Sequence, residues 1–267
     1  MSQTLDAILI KLGGSLITEK SREETARTEV IQRLAAEIAD LAAARPELLI
    51  VGHGSGSFGH VAAKRFGIAQ GIRDTGQLPG VPLTQQKAAT LHRIVTAALS
   101  AAGALPFSIA PSSCVVAASG QPVEIADEPL VLALGSGLLP VVYGDVVTDR
   151  DWGVSICSTE RLFDLLARRL PERGITVRRA LWLGETDGVY DEQGVTLPRI
   201  AADSFAAARK AIGAPAGIDV TGGMLHRVET ALALARLGIR SSILNGLRPG
   251  VLAAALEGKP AGGTDVG

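Results

Sequence analysis

Short apolar runs alternate along this chain with longer stretches in which apolar positions recur every three or four residues. Ala7 to Leu12 reads as a strand, and between Glu29 and Arg45 the residues Val30, Leu34, Ile38 and Leu41 share one helical face. Leu48 to Val51 is a second strand that runs into a glycine-rich segment, 52–60. The clearest helix runs from Thr84 to Gly103. Its residues Leu91, Ile94, Val95, Ala98, Leu99 and Ala102 fall on one side, and Gly103 stops it. Pro106 to Ala110 reads as a strand, and Cys114 to Ala118 with Val123 to Ile125 reads as a hairpin. Leu138 to Tyr143 is a buried strand ending at Gly144 and Asp145. Ser158 N-caps a helix through Arg169. Ala180 to Leu183 is a strand, Leu225, Val228 and Leu232 mark a helix that Gly238 ends, and Ile239 to Leu244 is a last strand. The glycine-rich tail, 259–267, is expected to be loose.

Strands alternating with amphipathic helices predict an α/β fold, a mainly parallel central sheet covered on both faces. The 267 residues, 47% of them apolar, suffice for one unit with two lobes, divided near residue 150. Composition removes several functions. Formal net charge is −1, which argues against a protein built to coat nucleic acid or an anionic membrane. Five Phe, two Trp and two Tyr are too few for base stacking to be the main business. No apolar run reaches the length of a membrane span, and no basic leader precedes the first apolar run, so a cytoplasmic protein is expected. Cys114 and Cys157 form no paired motif, which speaks against a zinc site or a disulfide framework.

The 31 glycines carry the functional signal because they cluster where strands end and helices start. Gly13 and Gly14 follow the first strand, Gly54, Gly56 and Gly59 the second, Gly144 and Gly188 two later ones, and Gly222 and Gly223 open a helix. Each cluster alone is explained by a tight turn. Together they predict a phosphate-binding face, since glycine lets backbone N–H groups approach an anion and a helix N-terminus favours negative charge. Gly54, Gly56 and Gly59 also satisfy the dinucleotide spacing, but on the second strand and with Asp74 in no strand context, so a hydride-transfer enzyme is not the reading. Lys11 interrupts an apolar strand at a glycine turn, where a purely structural role is hard to defend. Lys20, taken alone, reads as a solvated surface charge, and His53 and His60, taken alone, as structural histidines. Asp145, Asp149, Asp151 and Asp187 are carboxylates at strand ends or in the loops after them. Cations, backbone donors and carboxylates are the inventory of phosphoryl transfer.

Lys-Leu-Gly-Gly-Ser at 11–15, His-Gly-Ser-Gly-Ser-Phe-Gly-His at 53–60, Gly-Asp-Val-Val at 144–147, Thr-Asp-Gly-Val-Tyr-Asp at 186–191 and Asp-Val-Thr-Gly-Gly-Met at 219–224 together resemble the amino acid kinase family. Within it, Ser-Phe-Gly-His and the pair Lys11 and Lys20 are similar to the isopentenyl phosphate kinases. The resemblance implies an open αβα sandwich with an N-terminal acceptor lobe and a C-terminal ATP lobe, assembled as a homodimer. It implies ATP and Mg²⁺, and transfer of a phosphoryl group to isopentenyl phosphate for isoprenoid synthesis. It further implies that Lys11 contacts the phosphates and Lys20 stabilises the transferring group. His60 would bind the acceptor phosphate with the backbone of Ser55, Gly56 and Gly59, and Asp145 would help order the lysines. Ser158 and Thr159 would face the acceptor. Gly13, Gly14, Ser15, Gly56, Asp187, Gly188, Tyr190, Gly222, Gly223 and Arg227 would line the nucleotide site.

Three departures from the family pattern stand out. Ser55 replaces a glycine and restricts φ. Arg227 replaces a lysine, keeping charge but changing shape and reach. Ser-Thr-Glu-Arg at 158–161 replaces a Ser-Gly-Asp pattern. The apolar stretch after His60 suits a five-carbon tail, with the helix at 84–102 as a wall against longer chains; core packing explains the same residues. Two other readings stay open: a kinase for another phosphate or phosphonate, of the fosfomycin type, and a noncatalytic nucleotide-binding protein on the same fold.

Overall fold

The computed structural model describes residues 5–212 and 223–267. The first strand, β1 (Leu5–Leu12), is buried without alternation from Ala7 onward, the signature of a strand covered on both faces. It leads through a single turn, α1 (Gly14–Ile17), into α2 (Thr28–Ala44), which crosses over to β2 (Leu48–His53). Two helices follow, α3 (Gly56–Phe66) and α4 (Gly80–Ala101), then β3 (Pro106–Ser108). A short turn, α5 (Pro111–Cys114), enters the hairpin of β4 (Val115–Ala118) and β5 (Gln121–Ile125). Helix α6 (Glu128–Gly135) returns the chain to β6 (Leu139–Tyr143), and a second hairpin follows, β7 (Asp145–Asp149) and β8 (Gly153–Cys157). Helix α7 (Thr159–Arg169), β9 (Ile175–Gly184), β10 (Arg199–Ile200) and α8 (Phe205–Ile212) come next. The chain closes with α9 (Gly223–Ala235), β11 (Arg240–Asn245), α10 (Val251–Leu256) and β12 (Thr264–Val266).

The main sheet has eight strands in the order β10-β12-β11-β9-β1-β2-β6-β3, parallel apart from the β11–β12 pair. It runs through both halves of the sequence, because β1 pairs with β2 on one side and β9 on the other. The predicted α/β class with a mainly parallel sheet is the observed one. A smaller sheet, β5-β4-β7-β8, joins the two hairpins. Side chains alternate across a strand. Ile8, Ile10 and Leu12 therefore face the core under α2, α4 and α10, whereas Ala7 and Leu9 face the core under α7 and α9. No helix among the described residues is long and apolar enough to cross a membrane.

Three expectations are corrected. The segment after β2 is not a loop throughout: from Gly56 it is helix α3, whose small residues hid the helical period. The tail is not loose at its end. Thr264 and Val266 are buried in β12, and the Thr264 hydroxyl donates to the carbonyl of Leu197 (2.6 Å) and accepts the N–H of Val189 (2.8 Å). Helix α4 also begins before Thr84, at Gly80, since Pro82 sits in its first turn, where its missing N–H has no helical acceptor to lose.

Candidate active site

In open parallel sheets the crevice lies beyond the carboxyl ends of the strands, where strand order reverses direction. Here the reversal lies between β1 and β9. Lys11 is the next-to-last residue of β1 and shares the face of Ala7 and Leu9, so its side chain enters the layer occupied by α7 and α9. Its register partner on β2 is Gly52. A side chain there would meet Thr159 Cγ2 at 2.5 Å and Phe163 Cζ at 2.7 Å, so the glycine lets α7 lie close against the sheet. That approach brings Glu160, in the first turn of α7, onto Lys11: the ammonium donates to the carboxylate as a salt bridge. Lys11, Glu160 and Arg227 are all buried, at 5%, 6% and 8% exposure. The Arg227 guanidinium, from α9, lies across the reversal point. A Cβ on Gly184 would stand 2.8 Å from its Nη1, and one on Gly13 would stand 3.5 Å from its Nη2.

Burial alone would raise the Glu160 carboxyl, but the Lys11 ammonium and the Arg227 guanidinium outweigh it and hold it down at about 2. Lys11 is pulled below its ordinary value by burial, with Glu160 opposing and Arg227 adding to the fall. Lys11 and Arg227 thus both act on the Glu160 carboxylate, two cations at the point where an anionic phosphoryl group would sit. This corrects one expectation. Asp145 does not pair with Lys11; its carboxylate accepts the N–H groups of Val146 (2.8 Å) and Ser112 (3.3 Å). Its buried carboxyl is raised by desolvation, against those hydrogen bonds. Glu160 stands where the family pattern has the Asp of Ser-Gly-Asp, and only that pattern could have flagged it.

The two glycine loops touch through their backbones. A Cβ on Gly14 would lie 2.7 Å from the Gly56 nitrogen, and one on Gly54 would lie 2.9 Å from the Gly14 nitrogen. Gly56 also has φ of +49°, a left-handed conformation that favours glycine. Gly13 donates its N–H to the Leu183 carbonyl at 2.8 Å, and Ser15 lies in the α1 turn just beyond. Ser55 tolerates the loop with φ of −76°, so its departure from glycine carries no backbone strain. Gly59 packs within α3 against Ser55: a Cβ there would meet its Oγ at 2.8 Å.

His60 lies on α3 and is exposed, with no hydrogen-bond partner among the described residues. The surrounding protein still desolvates it and lowers its pKa; Lys11 adds to the fall and Glu160 opposes it. Three residues on, Ala63 joins a small apolar cluster with Ile68 and Val146, against which Phe66, Ile72, Val81, Val154 and Ile156 pack. Val81 is the contribution of the first turn of α4.

Lys20 lies on the loop between α1 and α2. It is exposed and faces Glu185 at 3.7 Å, where Arg27 also binds at 2.8 Å. Asp187 pairs with Arg248 (2.7 Å) and accepts from the Asn245 side chain (2.9 Å), while its own N–H donates to the Tyr190 hydroxyl at 3.1 Å. Gly188 has φ of +130° and abuts Thr264, and Gly223 opens α9; Gly222 lies outside the described residues. The two hydroxyls expected to face the acceptor are occupied within the protein. The Ser158 side chain accepts the Arg161 N–H at 3.3 Å and bonds His226 Nε2 at 3.0 Å. Thr159 is buried and donates to the His53 carbonyl at 2.7 Å. Asp149 accepts N–H groups from Ser119, Gly120, Asp151 and Trp152, which makes it the knot of the two hairpins. Asp151 accepts the Ser119 hydroxyl at 2.6 Å.

The model of the amino acid kinase family matches residues 6–245. The chain is 35% identical to the isopentenyl phosphate kinase of Methanothermobacter thermautotrophicus, over 97% of this chain and 98% of that one. It is 31% identical to the isopentenyl phosphate kinase of Haloferax volcanii, over 86% and 89%. Among solved structures, a crystal structure of an isopentenyl phosphate kinase superposes with a TM-score of 0.81 at 31% identity, covering 98% of this chain and 100% of that chain.

Proposed function

The chain belongs to the amino acid kinase family, and from that premise we propose that it transfers the γ-phosphoryl group of ATP to isopentenyl phosphate, giving isopentenyl diphosphate and ADP. The carrying observation is the placement of His60. A partnerless imidazole stands on the same face of α3 as Ala63, whose apolar cluster begins one turn away. A phosphomonoester with a short apolar tail matches that pairing of donor and apolar surface. The relatives named as isopentenyl phosphate kinases support the same acceptor.

In this reading His60 donates to the acceptor phosphate together with the backbone N–H groups of Ser55 and Gly56. The nucleotide phosphates lie over Gly13 and Gly14 at the reversal point. Lys11, held charged by Glu160, and Arg227 offset the repulsion between two anionic groups brought into line. Lys20, on its exposed loop, exchanges Glu185 for the transferring group. No covalent intermediate is needed, because positioning and charge supply the catalysis. Among the described residues no three metal-ligating side chains cluster, and Glu160, Asp145 and Asp187 each have partners in the protein. Mg²⁺ would accompany ATP and would supply neutralisation of its phosphate charge. The expected homodimer has an apolar edge available: β3 ends the main sheet, and Leu105 and Phe107 are exposed there.

The deciding experiment is an ADP-release assay with Mg-ATP and a panel of isopentenyl phosphate, dimethylallyl phosphate, fosfomycin, acetylglutamate and UMP. Turnover on isopentenyl phosphate, alone or with its isomer, is the expected result. Turnover only on another acceptor refutes the substrate and keeps the fold.

A further inference from the structure

One pair of buried histidines has no part in the chemistry above. His53, the last residue of β2, shares the face of Leu49 and Val51 and points away from Lys11, toward α4. There it meets His92, and the two imidazoles are 0% and 4% exposed. His53 Nε2 lies 3.0 Å from His92 Nδ1, His92 Nε2 lies 2.5 Å from the Ser108 hydroxyl, and His53 Nδ1 lies 3.0 Å from the carbonyl oxygen of Gly54. Tyr143 stacks on both rings, with centroids 4.2 Å from His92 and 5.7 Å from His53.

These contacts admit one consistent direction of donation. A carbonyl only accepts, so His53 carries its proton on Nδ1 and gives it to Gly54. Its Nε2 is then an acceptor, so His92 also carries its proton on Nδ1. His92 Nε2 in turn accepts from Ser108. Both rings are neutral at physiological pH, because burial holds His53 at about 4 and His92 at about 3. The chain ends on the peptide that begins the glycine loop. With the Gly54 carbonyl held by His53, the following N–H groups, of Ser55 and Gly56, have no backbone acceptor among the described residues and open α3.

We propose that His53, His92 and Ser108 are positioning residues: a one-way hydrogen-bond chain that holds the Gly54 carbonyl inward and so presents the Ser55 and Gly56 N–H groups to an oxyanion. The identity of that oxyanion as the acceptor phosphate rests on the function proposed above; the anchoring of the loop does not. The second feature of the chain is its reach. It ties the loop to α4 and to the sheet-edge strand β3, elements distant from the crevice in sequence.

The test uses the full chain, uniformly labelled with ¹⁵N, and inorganic phosphate as the anion probe. Imidazole nitrogen shifts should show His53 and His92 both as neutral Nδ1–H tautomers, the minor form of free histidine. His92→Leu leaves the buried His53 Nε2 unsatisfied and releases the lock, whereas His92→Asn returns a donor near the Nδ1 position. Phosphate titrated against the Ser55 and Gly56 amide signals should bind about tenfold more weakly to His92→Leu, the scale of one unmade buried hydrogen bond. His92→Asn should recover to within about threefold of the parent, a rescue that general core damage would not produce. An Nε2–H tautomer or a charged ring at either histidine overturns the proposal. So does equal phosphate affinity in all three proteins. If His92→Leu fails to fold, the parent's tautomers and the Asn variant decide alone. Failure of the parent to turn over isopentenyl phosphate would instead refute the functional reading, and the phosphate titration would still stand.

Discussion

Replacing Glu160 with Gln removes a buried anion that acts on both Lys11 and Arg227 while keeping size and shape. All three groups are at least nine-tenths buried, so the change takes from Lys11 its ion-pair partner out of water. Breaking a buried ion pair from one side costs about 3–5 kcal/mol. The depressed Glu160 carboxyl gives a similar scale. A fall from 4.5 to about 2 corresponds to about 3 kcal/mol by linkage. The sign follows from the direction: this stabilisation is present above the unfolded carboxyl value near 4.5 and is lost as pH falls toward 2. Burial of Lys11 offsets part of it, since a lysine pulled below its ordinary value is destabilising while it stays charged. At about 2–4 °C per kcal/mol for a chain of this size, Glu160→Gln should melt roughly 10 °C below the parent. Differential scanning calorimetry at pH 7 measures this directly. Two further readouts separate the charge argument from simple damage. Saturating Mg-ATP should narrow the gap, because the phosphates replace the missing anion. The alkaline limb of kcat should also move to lower pH, because Lys11 without Glu160 loses its proton sooner. Equal melting temperatures together with an unmoved alkaline limb would refute the idea that Glu160 keeps Lys11 charged.

His60→Ala should lower kcat/KM for isopentenyl phosphate by about a hundredfold, the loss of one charge-assisted phosphate contact, while ATP affinity measured by calorimetry stays within twofold. His60 sits below its ordinary value, and a bound phosphate favours the cation. Acceptor binding near pH 6.5 should therefore take up protons, seen as buffer-dependent binding heats; heats independent of buffer would remove the imidazole from the phosphate. Gly52→Ala should cost about 1–3 kcal/mol by overpacking against Thr159 and Phe163 and should lower kcat as well, because it lifts Glu160 from Lys11; chemical denaturation and steady-state rates check both. Thr264→Val should cost about 1–3 kcal/mol through the unpaired Val189 N–H and Leu197 carbonyl, with kcat at low temperature unchanged.

Much of the fold was legible from local pattern. Strands such as β1 and β6 announce themselves as continuous apolar runs because both faces are covered, and helices such as α2 and α7 through the period that one buried face imposes. Helix α3 was not legible, because Gly56, Ser57 and Gly59 are poor helix formers held in a helix by packing under α4. The tail strand β12 was missed for a related reason. Its glycine-rich approach reads as loose chain, and its partners, β10 and β11, are remote elements. The candidate site divides in the same way. The glycine loops and Lys11 show locally, since backbone approach to an anion restricts residue type, whereas His60 shows only through the family resemblance.

What the sequence by itself determined is the alternation of strands and helices, the parallel α/β class, the family, and the loops where phosphate chemistry would sit. Only the tertiary structure decided that Lys11 is held by Glu160 and not by Asp145, that Thr159 and Ser158 are occupied inside the protein, and that His53, His92 and Ser108 form one chain. Lys11 and Glu160 stand 149 residues apart, and His53 and His92 stand 39 apart. Such partners leave no period in the sequence. They depend on which face a strand residue turns to and on how closely a helix approaches, and here a single glycine, Gly52, sets that approach for Glu160.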